Sequence, residues 1–435
     1  MQTGFSPDQL KDPHVASSAG IVRTCVHCGF CTATCPTYLL LGDERDSPRG
    51  RIYMIKDMLE NNRPADEHVV KHIDRCLSCL SCMTTCPSGV HYMHLIDHAR
   101  AYIEATYKRP LADRMLRSVL AFVLPNPGIF RLALAGAAMA RPFRHWFARL
   151  PGGGRLVAML ELAPKQFASP SRMRAPLAVP AQGVRQARVA MLSGCAQPVL
   201  NPGINEAAIR LLTRHGVEVV LAKGEGCCGA LVHHMGREEA ALASARKNID
   251  AWTIEIDGNG LDAILITTSG CGTTVKDYGF MLRDDAAYAQ KAKRVSELAR
   301  DISEFLVTLP MQANVTPTGQ TVAYHSACSM QHGQKIKDEP KRLLKAAGFV
   351  VKDVPEGHIC CGSAGTYNIM QPEIAAQLRA RKVANIARTN PDIIATGNIG
   401  CMTQIGLSTA IPIVHTVELL DWATGGPRPA NLPGV

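Results

Sequence analysis

Sixteen cysteines stand in this 435-residue chain, and eight of them fall in two identical runs that constrain the fold more than any other feature. The runs are Cys25-x-x-Cys28-x-x-Cys31-x-x-x-Cys35-Pro36 and Cys76-x-x-Cys79-x-x-Cys82-x-x-x-Cys86-Pro87. Three thiols at intervals of three residues can close around one metal centre, whereas the fourth, set off by a longer gap and a proline, projects away from it. The stretch from Met1 to Ser18 carries Asp8, Asp12 and two prolines with no continuous apolar core, so it reads as neither a secretory signal nor a transit peptide. The expected compartment is the cytoplasm, where thiols stay reduced and act as metal ligands or redox groups in place of disulfides.

At 46% hydrophobic and 19% charged residues the chain can bury a substantial core, and its length predicts two or three domains. The longest apolar stretch, Leu132 to Ala140, falls far short of the roughly 20 residues of a membrane-spanning helix. The formal charge of +10 is uneven, because Arg100 to Arg188 holds fifteen Lys/Arg against Glu104, Asp113 and Glu161, and the remainder is slightly acidic. Between Leu111 and Leu160 the arginines Arg114, Arg117, Arg131, Arg141, Arg144 and Arg149 alternate with apolar residues at helical spacing, the pattern of amphipathic helices lying on a surface. A membrane face or partner groove suits that pattern better than nucleic acid does. Packing on the protein's own core is the competing reading.

Ser47 and Pro48 read as the cap and first residue of a helix running to about Asn61. Glu161 to Ala187, with Pro164, Pro170, Pro176 and Pro180, has the composition of an extended connection. Beyond it the chain repeats: Arg188 to Cys195 resembles Thr321 to Cys328, and Cys-Cys-Gly follows in each half at Cys227-Cys228-Gly229 and Cys360-Cys361-Gly362. A further Gly-Cys closes each half at Cys271 and Cys401. Strands are predicted over 188–192, 217–221 and 261–267, alternating with helices over 205–215 and 237–252. The second half repeats this with strands over 321–324, 349–354 and 392–395 and helices over 340–347 and 372–387. Such alternation builds parallel sheets, and the cysteines fall just beyond the carboxyl ends of the strands, where open α/β sheets collect ligands.

The two N-terminal runs have the spacing of bacterial two-cluster ferredoxins. Carried over position by position, that resemblance implies one [4Fe-4S] cluster on Cys25, Cys28, Cys31 and Cys86, and a second on Cys76, Cys79, Cys82 and Cys35. Such clusters are anionic, and Arg49, Arg51 and Arg75 are the candidates to offset their charge. Zinc also accepts four thiolates, although its common sites use two separated cysteine pairs.

Cys195, Cys227, Cys228 and Cys271, with Cys328, Cys360, Cys361 and Cys401, resemble the cysteine-rich CCG domain of heterodisulfide reductase subunits. The full motif ends in C-x-x-C, whereas here Cys271 is followed by Gly-Thr-Thr274 and Cys401 by Met-Thr-Gln404, so the final thiolate is missing from both repeats. Four thiols per lobe suffice for a further iron–sulfur cluster or for zinc, and buried reduced cysteines can also be plain packing. His233, His234 and His325 lie near these cysteines in sequence; they could donate to cluster sulfur or meet a quinone, and a hydrogen-bonded structural role is the stronger reading for each. Tyr53, Tyr92 and Tyr278 receive no role.

No G-x-G-x-x-G after a strand, no Walker A run, no Ser-His-Asp set and no H-E-x-x-H occurs, so the chain reads as passing electrons received from a flavin-bearing partner. Taken together, Cys25 to Pro36, Asp46 to Ile52, Cys82 to Val90, Gly226 to Met235 and Ser269 to Tyr278 resemble the iron–sulfur subunits of glycolate oxidase, also called glycolate dehydrogenase. The resemblance covers nearly the whole chain. It implies an FAD-containing subunit that oxidises glycolate to glyoxylate, a second flavin-domain subunit, and quinone as the acceptor at the inner face of a bacterial inner membrane. Iron–sulfur subunits of lactate or glycerol-3-phosphate dehydrogenases, and a heterodisulfide-reductase-like thiol-disulfide enzyme, are the alternatives. The expected architecture is α+β and multidomain: a mostly helical two-cluster ferredoxin-like domain (1–108), a basic helical segment (109–161), a Pro-rich linker (162–187) and two duplicated α/β CCG lobes with parallel sheets (188–310 and 311–435).

Overall fold

The structure, a computed structural model, describes residues 1–150, 152–164, 166–311 and 319–432. Residues 312–318, beside the expected boundary between the lobes, lie outside the described residues, as do 151, 165 and 433–435.

The N-terminal unit is helical, built on Pro13–Thr24, Pro48–Glu60, Glu67–Asp74 and Tyr92–Thr106. Each of the first three begins at a side chain that accepts backbone N–H groups otherwise left without partners: Asp12 from His14 and Val15, Ser47 from Gly50, and Asp66 from Val69. The predicted start at Ser47-Pro48 and stop near Asn61 agree with the observed helix. Gly50 is required there, because a Cβ would lie 2.1 Å from the Glu44 carbonyl oxygen. Val22, Ile55, Met58, Ile73, Leu95 and Ile96 meet in the core of this unit.

Nine strands follow among the described residues: β1 (Leu177–Val179), β2 (Ala187–Met191), β3 (Val217–Leu221), β4 (Ala263–Ile266), β5 (Ala299–Asp301), β6 (Thr321–Tyr324), β7 (Val350–Asp353), β8 (Ile393–Thr396) and β9 (Ile413–His415). They form two sheets, ordered β1-β3-β2-β4-β5 and β7-β6-β8-β9. All pairings are parallel except β1 against β3, with Leu177 opposite Leu221. The stretch read as a linker therefore also adds a strand, which covers the outer edge of β3. The second sheet has no counterpart among the described residues, so β7 is an edge strand, and its Val350, Lys352 and Asp353 are exposed. The central strands are buried on both faces, and their runs are accordingly almost wholly apolar.

The lobes share one core, in which Val189, Ile204 and Leu212 of the first cluster with Val322, Leu344 and Leu420 of the second. Arg210 and Arg214 reach across to the buried Asp421 at 2.7 and 2.9 Å.

The basic segment divides its faces between the two readings. In the helix Leu111–Val123, Arg117 is buried between Asp74 (2.9 Å) and Asp113 (3.0 Å). Leu120 packs with Val232, Met235 and Ile369 of the lobes. Arg131 and Arg141 donate to backbone carbonyls, of Pro198 and Ala163 among others. The opposite face exposes Leu111, Met115 and Phe122, and further along Leu132, Phe143 and Trp146.

The N-terminal unit docks on lobe 1 through histidines. His94 stacks on Phe280 and lies 2.9 Å from Asp277, while His233 and His234 approach Asp97 at 3.4 and 3.8 Å. Burial alone would lower His233 and raise Asp97, yet their mutual attraction prevails: the histidine is raised and the carboxyl is held well below the usual carboxylate range. The stabilisation linked to His233 is complete below its ordinary pKa of about 6.5 and fades as pH rises through the higher folded value, whereas Asp97 stays ionised throughout. Asp97→Asn is therefore expected to destabilise the protein by about 2 kcal/mol at pH 6 and by clearly less at pH 9, measured as the fall in Tm at each pH.

Candidate metal centres

Cys25, Cys28, Cys31 and Cys86 line one pocket, with Gly29, Arg49 and Pro87. Cys35, Cys76, Cys79 and Cys82 line the next, with Thr37, Arg51 and Leu77. The pockets share Cys82, Pro48 and Tyr92 as a common wall. Backbone geometry explains the convergence. Each run turns left-handed two and four residues after its first cysteine, at His27 and Gly29 and again at Ser78 and Leu80, which curls the loop so that its first three thiols face inward. The fourth cysteines, Cys35 (φ −80°, ψ 115°) and Cys86 (φ −75°, ψ 115°), are extended, as the following proline demands, and point to the other run's pocket.

Of the three arginines expected to offset negative charge, Arg51 does so directly. Its buried guanidinium lies 3.9 Å from the Cys35 sulfur, 3.3 Å from Asp46, and donates to the His72 carbonyl at 2.7 Å. Arg75 instead pairs with Asp46 at 2.8 Å, and Arg49 pairs with Glu44 while lying across Gly29. Tyr92, left without a role in the sequence, donates its hydroxyl to the Cys76 sulfur at 3.7 Å. Tyr53 is exposed. Burial pushes the Cys31 thiol up to about 11 and raises Cys79 and Cys82 well above the ordinary thiol value. Without metal these thiols hold their protons, and a bound metal takes the protons' place. All sixteen cysteines are free of disulfides, and soft sulfur donors with no carboxylate in the ring suit iron–sulfur chemistry and do not suit a hard cation.

In the lobes the cysteines cluster where expected, beyond the carboxyl ends of β2, β3 and β4 and of β6, β7 and β8. Their thiols neighbour one another in rows, Cys195–Cys227–Cys228–Cys271 and Cys328–Cys360–Cys361–Cys401, close enough for each to influence the next. In lobe 1 the neighbouring thiols of Cys195 and Cys228 lower Cys227, while both of them are raised. Gly229 (φ +85°) and Gly362 (φ +88°) turn each loop back, and their N–H groups donate to Cys227 and Cys360 at 3.4 Å. A Cβ at either glycine would press on the carbonyl of Ala241 or Ala375, at 2.9 and 2.6 Å. Tyr278 bonds the Cys228 carbonyl at 2.8 Å.

Both rows open onto one cavity of about 350 Å³, lined by Cys195, Cys228, Cys271, Cys328, Cys361 and Cys401 and closed on the other side by apolar residues of the basic helices, among them Leu120, Phe130 and Met159. Cys79 also borders it, so three chambers follow one another through shared walls: Cys82 between the first and second, Cys79 between the second and the cavity. Two buried groups stand apart from the reading of the sequence, one differing from its expected role and one missed. His325, expected to be a hydrogen-bonded structural histidine, has no partner at either ring nitrogen, and Lys382 is buried beside the lobe 2 thiols.

A 4Fe-4S dicluster domain matches residues 21–90, and a cysteine-rich domain of the CCG type matches residues 189–276 and 322–406. Fold and site together define an iron–sulfur electron-transfer protein with a dicluster domain and two CCG repeats. The chain is 43% identical to the glycolate oxidase iron-sulfur subunit of Escherichia coli (strain K12), over 97% of this chain and 99% of that one. It is 31% identical to the probable glycolate oxidase iron-sulfur subunit of Bacillus subtilis (strain 168), over 93% and 95%. Lactate utilization protein A of Bacillus licheniformis matches at 26% identity over 54% of this chain and 99% of its own. A crystal structure of a hypothetical protein from Helicobacter pylori shares the fold, with TM-score 0.55 and 9% identity over 98% of this chain and 76% of that one. The chain belongs to the family of glycolate oxidase iron–sulfur subunits.

Arg51→Gln removes the cation beside Cys35 and leaves Asp46 short of one buried partner. A loss of roughly 3 kcal/mol in stability is expected, read as a lower Tm, together with a more negative midpoint for an iron–sulfur signal in a redox titration.

Proposed function

We propose that the chain is the electron-transfer subunit of a flavin-linked glycolate dehydrogenase. Glycolate would give two electrons and two protons to the FAD of a partner subunit, leaving glyoxylate, and a second flavin-domain subunit would complete the assembly. Cys25, Cys28, Cys31 and Cys86 would ligate one [4Fe-4S] cluster, and Cys35, Cys76, Cys79 and Cys82 the other; these clusters supply one-electron transfer when bound. The succession of three chambers through shared walls is the observation that carries this reading. Cys28 is exposed and so marks the end at which electrons enter, while Cys79 faces the cavity and marks the end at which they leave.

Quinone is the proposed acceptor. The cavity has the size and apolar lining of small-molecule sites, and Val119 both lines it and is half-exposed on the apolar outer face of the basic helices. That face, with the exposed Arg144 and Arg149 beside Trp146, suits an anionic bilayer surface, and no helix among the described residues is long and apolar enough to cross a membrane. Peripheral attachment at the cytoplasmic face of a bacterial inner membrane is the location we propose. The eight cysteines of the lobes are proposed as ligands for further metal, an iron–sulfur cluster or zinc.

Anaerobic purification of the assembly tests the reading: co-isolated flavin and faster dye reduction with glycolate than with lactate support it, and a chain that purifies with no flavoprotein overturns it. Cys79→Ser is expected to abolish one cluster signal and cut dye reduction by more than about 100-fold, since even outer partners of metal ligands are worth about 10- to 100-fold. Replacing Arg144 and Arg149 together by Gln is expected to weaken binding to anionic vesicles by roughly 30-fold, at about 1 kcal/mol for each charge, measured by vesicle sedimentation.

A further inference from the structure

The two lobes differ where their duplication should make them alike. His325 follows β6 as Leu192 follows β2: the backbone N–H of His325 donates to Ala395 on β8 as that of Leu192 donates to Leu265 near the end of β4. Leu192 is an ordinary core residue, packed with Ala222 and Ile266. His325 is 1% exposed, yet neither ring nitrogen has a hydrogen-bond partner. A neutral imidazole carries one donor and one acceptor, and leaving both unmet in the interior is costly.

The imidazole is aimed at sulfur. One of its ring nitrogens and the Sγ atoms of Cys361 and Cys401 all lie within 4.8 Å of one another. Ligands around a single tetrahedral metal with metal–sulfur bonds of about 2.3 Å and metal–nitrogen bonds of about 2.0–2.1 Å sit roughly 3.5–3.8 Å apart, so a contraction of about an ångström would close the set. Cys360 and Cys328 continue the row of thiols, and one of them completes a tetrahedral set.

Charge differs between the lobes in the same sense. Gly229 packs on Ala241 and Gly362 on Ala375, and two helical turns beyond each alanine stand Asn248 in lobe 1 and Lys382 in lobe 2. Asn248 is neutral and bonds the Cys227 carbonyl at 3.0 Å. Lys382 is 1% exposed, donates to the Glu356 carbonyl at 2.9 Å, and its charge acts on all four thiols of lobe 2. A buried cation is costly beside neutral thiols and favourable beside thiolates that a metal holds deprotonated.

We propose that lobe 2 carries a thiophilic metal centre in which His325 is a ligand beside Cys361 and Cys401, and that lobe 1, with Leu192 in the corresponding place, lacks this ligation. The imidazole stands in for the thiolate that the shortened motif has lost. The inference rests on the reading of the lobes' thiols as metal ligands.

The test uses the full chain, purified anaerobically, as wild type, His325→Leu, His325→Cys and Leu192→His. Iron, sulfide and zinc are counted, the reduced protein labelled with ¹⁵N-histidine is examined by pulsed electron paramagnetic resonance, and the zinc edge by X-ray absorption. Metal beyond that of the two dicluster sites, with nitrogen among its ligands at either iron or zinc, is the expected result. His325→Leu should lose one metal centre per chain together with the nitrogen signature while keeping the dicluster signals, His325→Cys should restore the metal without nitrogen, and Leu192→His should add nitrogen ligation in lobe 1. Extra metal with all-sulfur ligation in the wild type overturns the assignment of His325 and leaves the lobes' thiols as ligands. Absence of any extra metal overturns both. If His325→Leu does not fold, measurements on the wild type still decide, by the isotope signature if the metal is iron and by the absorption edge if it is zinc.

Discussion

The fourth cysteine of each run sits in the pocket of the other, and most of the N-terminal architecture follows from that exchange. Cys35 can join Cys76, Cys79 and Cys82 only if the forty residues between the runs bring their ends together, and the helices Pro48–Glu60 and Glu67–Asp74 do this by packing side by side. Where they meet, Asp46 is fully buried and is compensated from three directions by Arg51, His72 and Arg75. A buried carboxylate of this kind is tolerable only when every lone pair is answered, which fixes the relative placement of the helices as firmly as apolar packing does. Asp46, Arg51 and Arg75 thus hold the pockets' walls, and only Arg51 also reaches a sulfur.

Much of this was legible in the amino-acid order because the signals are local. Ser47-Pro48 specifies a helix start through its own hydroxyl and ring, and 217–221 and 321–324 are continuous β-rich runs whose observed bounds match the expectation. The eight N-terminal thiols line two pockets that share Cys82, and the proline after Cys35 and Cys86 dictates an extended backbone wherever it occurs. β5 and β9 were not anticipated, because three residues such as Ala-Arg-Asp carry no period and become strands only by joining an existing sheet. β1 escaped for a similar reason, its surroundings being rich in proline. Arg117 looked like a solvated charge on an amphipathic face; the acids that bury it, Asp74 and Asp113, become its neighbours only through packing. The empty hydrogen-bonding shell of His325 belongs to the same class, visible only once three strands place it among sulfurs.

Duplication gave the two lobes a common frame and one continuous core, and the frame is reused with different chemistry at its rim. Helix Gly203–Arg214 of the first lobe lies against Thr416–Ala423 of the second, so neither lobe is finished without the other. Enclosing the cavity takes a third contribution, from the basic helices, whose inner leucines complete the apolar wall. The same helices keep aromatic and aliphatic side chains on the outside, and the one segment thereby joins the protein's interior to its surroundings.

The unmatched strand β1 has a consequence for solubility. It shields the rim of the first sheet, whereas among the described residues no strand covers the outer rim of β7, whose amides and carbonyls another polypeptide could extend by main-chain pairing. Four residues are a short template, and Lys352 and Asp353 place opposite charges at its end, which any added strand would have to match. A chain that loses those charges, or lengthens this segment with apolar residues, acquires a sticky margin and becomes prone to ordered self-association.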